Sequence, residues 1–213
     1  MNARPALQSH SLALSFASAR RSGPKELHHA SAALLWVDRP FAVTAAHALQ
    51  DFMGRMRDDE TARLWLGKLP LDDVADRVLC LSPRHDLATL RIEPEELAGL
   101  GDEVCFHNPA KWPPEPVGVG EEISVFGFPR DQWPAQIRYR FRVESTQERR
   151  FSAVLERSDM PGRLEGLCGA PAFRGGVNPE FVGVVTEALF HNEVVRCQHA
   201  RHVDTCGQVP GEA

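Results

Sequence analysis

No run of this sequence approaches the ~18 consecutive apolar residues a membrane-crossing helix requires, so no such helix is expected. A basic excess is missing too. The formal net charge is −5, which excludes a global electrostatic pull toward nucleic acid or an anionic membrane surface. The five cysteines do not divide into pairs, so at least one thiol has no intramolecular disulfide partner. Residues 1–25 contain Arg20-Arg21 but lack the order of basic end, apolar centre and small-residue cleavage site that marks a secretory leader. No internal repeat at a solenoid period is visible. These absences favour a reducing, cytoplasmic setting in which a thiol stays available for chemistry.

What is present reads as an ordinary globular chain: 213 residues, 43% hydrophobic and 25% charged. Sixteen glycines and sixteen prolines suit many short strands better than long helices. Strand-like runs occur at Ser31–Val37, Phe41–Thr44, Leu64–Leu66, Val78–Leu81 and Leu87–Ile92, with helical turns hinted at His47–Met56 and Glu93–Leu100. Asn108 to Pro116 is too rich in proline to sit inside a ladder, since each proline lacks an N–H. Beyond it come Glu122–Pro129, then Ile137–Val143 with apolar and arginine residues in strict alternation, a strand with one buried and one solvated face. Phe181–Thr186 reads as a buried strand. The expected organisation is all-β: residues 1–108 as one β-barrel, 109–120 as a proline-rich linker and 121–213 as a second barrel.

Three separated segments carry chemistry. Thr44-Ala45-Ala46-His47 ends the strand pattern begun at Phe41, and Asp86 opens the apolar run Leu87-Ala88-Thr89-Leu90. Gly166-Leu167-Cys168-Gly169-Ala170-Pro171 sets a cysteine in a turn that side chains at its flanks would obstruct. Alone, each residue has an ordinary reading: Cys168 as a small buried hydrophobe, His47 as a satisfied histidine, Asp86 as a strand-edge residue. Together, in this order, they are the parts of a nucleophilic hydrolase. His47 would take the thiol proton and later give it to the leaving amine. Asp86 would hold the imidazole in the useful tautomer, though an aspartate matters less beside a thiol than beside serine.

These residues resemble the trypsin-like peptidases. Phe41 to His47 is similar to that family's strand and "TAAH" box, Asp86 to Leu90 to its "D-[LIV]-A-x-[LIV]" entry, Gly166 to Pro171 to its "G-[DN]-S-G-[GA]-P" loop, and Gly183 to Thr186 to the following "G-[IV]-[VI]-[ST]" strand. The matches run in family order from Ser31 to Ala188, with cysteine replacing serine and Leu167 standing where the family has an acidic or amide residue. The resemblance implies two packed six-stranded antiparallel barrels with the site in the cleft between them. It implies an oxyanion hole from the N–H groups of Gly166 and Cys168, and a peptide-pairing edge at Thr186-Glu187-Ala188. Thr186 matches a position that hydrogen-bonds the aspartate. The floor of the main specificity pocket falls near Gly162 and Arg163, where no aspartate stands to select basic side chains; Arg163 would favour an acidic one.

His85 is expected to face away from the site if its segment is extended. Cys197, His199, His202 and Cys206 are zinc-type ligands, but their spacing matches no common finger and Val194-Val195-Arg196 leads into them as a last strand. They are assigned to structure, and no metal or other cofactor is expected. The function expected is a cysteine endopeptidase that cuts protein or peptide substrates through a thioacyl-enzyme, controlled by a partner or signal. The alternatives are a catalytically impaired module of the same fold that binds peptides or partners, and a self-processing enzyme that turns over once.

Overall fold

The computed structural model describes residues 10–18, 28–100, 104–109, 111–132, 134–158, 164–175, 179–189 and 193–203. Apolar segments between turns pair as strands throughout. In the N-terminal half, β1 (Ser11–Ala17), β2 (His28–Trp36), β3 (Pro40–Ala45), β4 (Arg63–Leu66), β5 (Leu69–Leu71), β6 (Val78–Ser82) and β7 (Leu87–Arg91) form one sheet in the order β5-β4-β1-β2-β3-β7-β6. All its pairings are antiparallel, with Leu35 opposite Phe41 and Thr44 opposite Ala88. The expectation of six strands here becomes seven, in a sheet whose two end strands are not paired with each other. The extra strand comes from the short β4–β5 hairpin around Gly67, where Leu64 meets Leu71. Among the described residues, α1 (Ala46–Asp58) and α2 (Val74–Arg77) lie between strands, and α3 (Leu97–Leu100) follows β7.

The C-terminal half is a closed six-stranded barrel, as expected. Its strands are β8 (Glu122–Gly127), β9 (Ile137–Thr146), β10 (Arg150–Ser158), β11 (Pro171–Arg174), β12 (Glu180–Leu189) and β13 (Val194–His199), in the order β10-β13-β12-β11-β8-β9. The alternation read along β9 is real: Ile137, Tyr139, Phe141 and Val143 are buried in the barrel. The arginines between them point outward. Arg142 pairs with Glu156, and Arg138 lies over the Phe126 ring at 5.6 Å. Among the described residues no helix is long and apolar enough to cross a membrane.

Each half buries its own apolar cluster. A third cluster joins them, with Ala33, Leu35, Phe41, Val43 and Leu87 from the first sheet against Phe126, Phe173, Phe181 and Val184 from the barrel. A buried phenylalanine contributes about 1.5–3 kcal/mol, so this seam fixes how the halves face one another. The connecting segment is extended but anchored to both halves. Backbone bonds tie His107 to Leu34 and Trp36 at 2.9 Å each, Trp112 stacks on Phe181, and Val117 is buried.

His107 is the polar member of this seam, 8% exposed, with its ring edge-on to Phe173 at 5.3 Å and to His10 at 5.4 Å. Burial first, and the neighbouring His10 second, hold its pKa down at about 4 rather than 6.5, with Glu180 opposing weakly. Below 6.5 the unfolded chain takes up a proton that the folded seam refuses until about 4, so folding stability drops as pH falls through that window. His107→Leu is expected to remove that part of the acid sensitivity. Denaturation midpoints followed across the window test this, and identical pH dependence in wild type and variant would overturn it.

Candidate active site

Helix α1 buries Ala46, Ala48, Leu49 and Phe52 on one face, which sets His47 on the side facing the cleft. The residue before the helix is Ala45, which has no side-chain acceptor to cap the exposed N–H groups. Asp86 supplies one from the β6–β7 turn. Its Oδ1 accepts the His47 backbone N–H at 2.9 Å and its Oδ2 accepts Nδ1–H of the ring at 2.7 Å. Its own carbonyl accepts the Ala46 N–H at 3.1 Å. Asp86 reaches this position by adopting a left-handed φ of +52°, a conformation aspartate tolerates better than most residues. One carboxylate thus caps the helix and fixes the imidazole.

That carboxylate, and after it the adjacent Cys168 sulfur, push the His47 pKa up to about 10 against the desolvation of partial burial. The ring is 54% exposed and the carboxylate 31%, so hydrogen bonding rather than deep burial creates the shift. His47 is an imidazolium at neutral pH.

Cys168 lies in the turn between Leu164 and β11. Leu167, the residue that departs from the family pattern, is fully buried in the barrel core and anchors the turn from inside. Gly166 and Gly169 take φ of +93° and +90°. A Cβ on Gly166 would stand 2.5 Å from the Phe128 carbonyl oxygen, and one on Gly169 would stand 1.8 Å from that of Ser31. Ser31, in the middle of β2, stitches the turn to the first sheet. Its N–H donates to the Cys168 carbonyl at 2.8 Å and its hydroxyl to the Gly166 carbonyl at 2.9 Å. It also accepts, with its hydroxyl oxygen from the Phe128 N–H and with its carbonyl from the Thr44 hydroxyl. With its carbonyls held back in this way, the turn leaves the Gly166 and Cys168 N–H groups without an acceptor among the described residues. The Cys168 sulfur lies 3.6 Å from the Thr186 carbonyl oxygen.

His47, Asp86, Gly166, Cys168, Thr186, Glu187 and Ala188 all line one cleft of about 1130 Å³. Gly162 and Arg163 lie outside the described residues. β11 pairs with β12 only as far as Val184, and a bulge follows between Val185 and Glu187. Among the described residues, Thr186 to Ala188 therefore keep one edge unpaired. The Thr186 hydroxyl donates to the Arg196 carbonyl at 3.3 Å, so the expected bond to Asp86 is replaced by one to the neighbouring strand. His85 also departs from expectation. Its segment is a turn rather than a strand, and its ring lines the cleft and stacks on His202 at 4.9 Å. Of the zinc-type set, Cys197 is buried in the barrel and burial pushes its thiol up. The His199 ring meets the Gln147 carbonyl at 3.1 Å, and Cys206 lies outside the described residues.

Solved structures share this architecture. The Rv3671c protease from M. tuberculosis in its active form aligns with a TM-score of 0.56 and 16% identity, over 92% of this chain and 79% of its own. The inactive form of the same protease gives 0.55 and 17%, over 92% and 86%. A serine endoprotease from Yersinia pestis gives 0.55 and 14%, over 91% of this chain and 60% of that one. The chain has the trypsin-like two-barrel fold. No protein-family model and no curated protein matches its sequence.

Ser31 escapes a sequence reading because it stands inside an apolar run with no motif around it. Its one signal is a lone hydroxyl in a segment otherwise read as buried. Gly120 offers a control for the close approach at Gly169: its φ is +86°, yet a Cβ there would meet nothing within 4 Å. Gly120→Ala is expected to cost about 1–3 kcal/mol, the strain of the backbone alone. Gly169→Ala should cost several kcal/mol more or prevent folding, as read from denaturation midpoints. Equal costs would mean the two halves are not held as close as described.

Proposed function

We propose that this protein is a cysteine endopeptidase that hydrolyses peptide bonds of protein or peptide substrates with Cys168, His47 and Asp86. The observation that carries the proposal is the His47 ring, hydrogen-bonded to Asp86 at 2.7 Å and flanked by the Cys168 sulfur, beneath two unpartnered backbone N–H groups in an open cleft. The protease neighbours in fold support it.

A charged His47, raised first by Asp86 and then by Cys168 itself, is compatible with a thiol mechanism. A serine nucleophile needs a neutral imidazole to take its proton, whereas a thiolate works beside an imidazolium. The Cys168 thiolate attacks the scissile carbonyl carbon, and the resulting oxyanion is received by the Gly166 and Cys168 N–H groups. The His47 imidazolium gives its proton to the departing amine as the C–N bond breaks, leaving a thioester on Cys168. Neutral His47 then takes a proton from water, whose oxygen attacks the thioester. The acid product leaves and the ion pair is restored. Asp86 holds the ring in register throughout. A reducing compartment such as the cytoplasm suits this thiol, and control by a partner or signal remains part of the proposal.

Alkylation rates give a direct test. Cys105 is exposed, Cys80 and Cys168 are half-buried and Cys197 is buried, so exposure alone would make Cys105 react first. Activation by His47 is expected to put Cys168 ahead, and His47→Ala should slow it at neutral pH and give it the steep rise with pH of an ordinary thiol. Cys168→Ala should remove the cleavage events seen with wild type in a proteome-wide map. Cleavage retained in that variant would sink the reading.

The raised His47 pKa also sets a pH window. Its contribution to stability is complete below 6.5 and is lost as pH rises toward about 10. The active ion pair fails on the same alkaline side. Asp86→Asn, which keeps the helix cap but removes the charge, is expected to shift the alkaline limb of the kcat/KM profile to lower pH. An unmoved limb would show that Asp86 does not hold the imidazolium.

A further inference from the structure

The turn that holds Asp86 also sets Arg84 and His85 on the cleft wall, and the tip of the β9–β10 hairpin stands across from them with Arg149 and Arg150. Most carboxylates nearby are already engaged: Asp86 with His47, Asp51 with Arg55 at 2.8 Å and Glu187 with Arg196 at 2.6 Å. Among the described residues, no carboxylate lies within ion-pair distance of Arg84, Arg149 or Arg150. Arg150 is held only by the neutral Gln147 side chain at 3.2 Å. Two carboxylates that line the cleft have no ion pair among the described residues: exposed Glu148 on the same tip, and half-buried Glu165 beside the nucleophile turn. The field is felt locally. Arg149 and Arg84 both push the His85 pKa down, after burial and the stacked His202.

The hairpin tip is braced from behind. The Arg149 carbonyl accepts from the Gln198 side chain at 2.5 Å and from the His199 N–H at 3.0 Å, and the Glu148 carbonyl accepts from Arg201. Cations mounted on a held backbone lose less entropy when an anion docks. Glu148 and the arginines thus stand on a wall shaped before any ligand arrives.

The direction of a bound peptide follows from the unpaired edge of β12. A chain laid antiparallel to it runs from Ala188 toward Thr186, whose carbonyl lies beside the Cys168 sulfur. Residues preceding the scissile bond therefore lie between β12 and the Asp86 turn. Those following it leave past Gly166, toward His29 and Arg130.

We infer that Arg84, Arg149 and Arg150 form a receptor for acidic side chains in the substrate segment that precedes the scissile bond, so that the enzyme selects locally acidic sequences. This inference rests on the peptidase reading of Cys168.

The test compares peptides with aspartate or glutamate at the second to fourth residues before the cleaved bond against amide-matched versions, on wild type and on Arg84→Gln/Arg149→Gln. Wild type should cleave the acidic peptides with about tenfold higher kcat/KM, the size that two exposed ion pairs support. The preference should shrink with added salt and fall severalfold in the double variant, where only Arg150 remains, while kcat/KM on the amide peptides stays unchanged. Thermal melts confirm that the variant, altered only at the cleft rim, is folded. Equal cleavage of acidic and amide peptides by wild type, or acidic preference only after the scissile bond, overturns the inference and leaves the peptidase reading intact. If no peptide is cut, binding to Cys168→Ala by fluorescence anisotropy separates the two ideas. Acidic-selective binding that falls severalfold in Arg84→Gln/Arg149→Gln would keep the wall and reject the peptidase, and unselective binding would reject the wall as well.

Discussion

The Ser31 carbonyl occupies the space where a side chain at position 169 would begin, and the fold around the site follows from that contact. Because the barrel turn comes so close to β2, backbone bonds can cross between the halves, from the Ser31 N–H to the Cys168 carbonyl and from the Ser31 hydroxyl to the Gly166 carbonyl. Those bonds draw the turn's carbonyls toward the first sheet. The N–H groups at 166 and 168 are then left without an acceptor among the described residues. In the proposed mechanism these donors receive the oxyanion with no reorganisation as charge develops. The apolar seam of Phe41, Phe126, Phe173 and Phe181 supplies the force that presses the halves together, and the glycines allow the contact.

A second economy lies in Asp86. The same carboxylate caps α1, pins the His47 ring and sustains its positive charge, so the helix end and the acid–base group share one anchor. The turn that presents it carries Arg84 and His85 to the same wall. In the proposed reading, chemistry and substrate selection are therefore coupled through a few residues of one turn. Asp86 serves the imidazolium, while the arginines remain open to solvent.

Much of the architecture is legible in the chain. Period-two alternation located β9 because one of its faces is barrel core and the other is water. The apolar runs gave β3 and β7 to within a residue, and β2 and β12 to within three. Other elements left weaker traces. β1 is buried on both faces over most of its length, so Ser11–Ala17 shows no clean polar face. β10 mixes buried and half-exposed residues on a bulged ladder. The site motifs were readable because each needs particular residue types in immediate succession. Ser31, Arg149 and the stacked His85–His202 pair were not, because their roles exist only between segments far apart in sequence.

The amino-acid sequence by itself determined the order of histidine, aspartate and cysteine, the glycines that permit the nucleophile turn, and the all-β character of both halves. These are local properties, set by backbone freedom, side-chain chemistry and hydrophobic period. Only the tertiary structure decided which charges meet. It gave His47 to Asp86, turned the Thr186 hydroxyl to the Arg196 carbonyl, brought His85 into the cleft and left three arginines there with no carboxylate partner among the described residues. Hydrogen bonds and ion pairs act over a few ångströms, and packing rather than sequence distance decides which groups come that close.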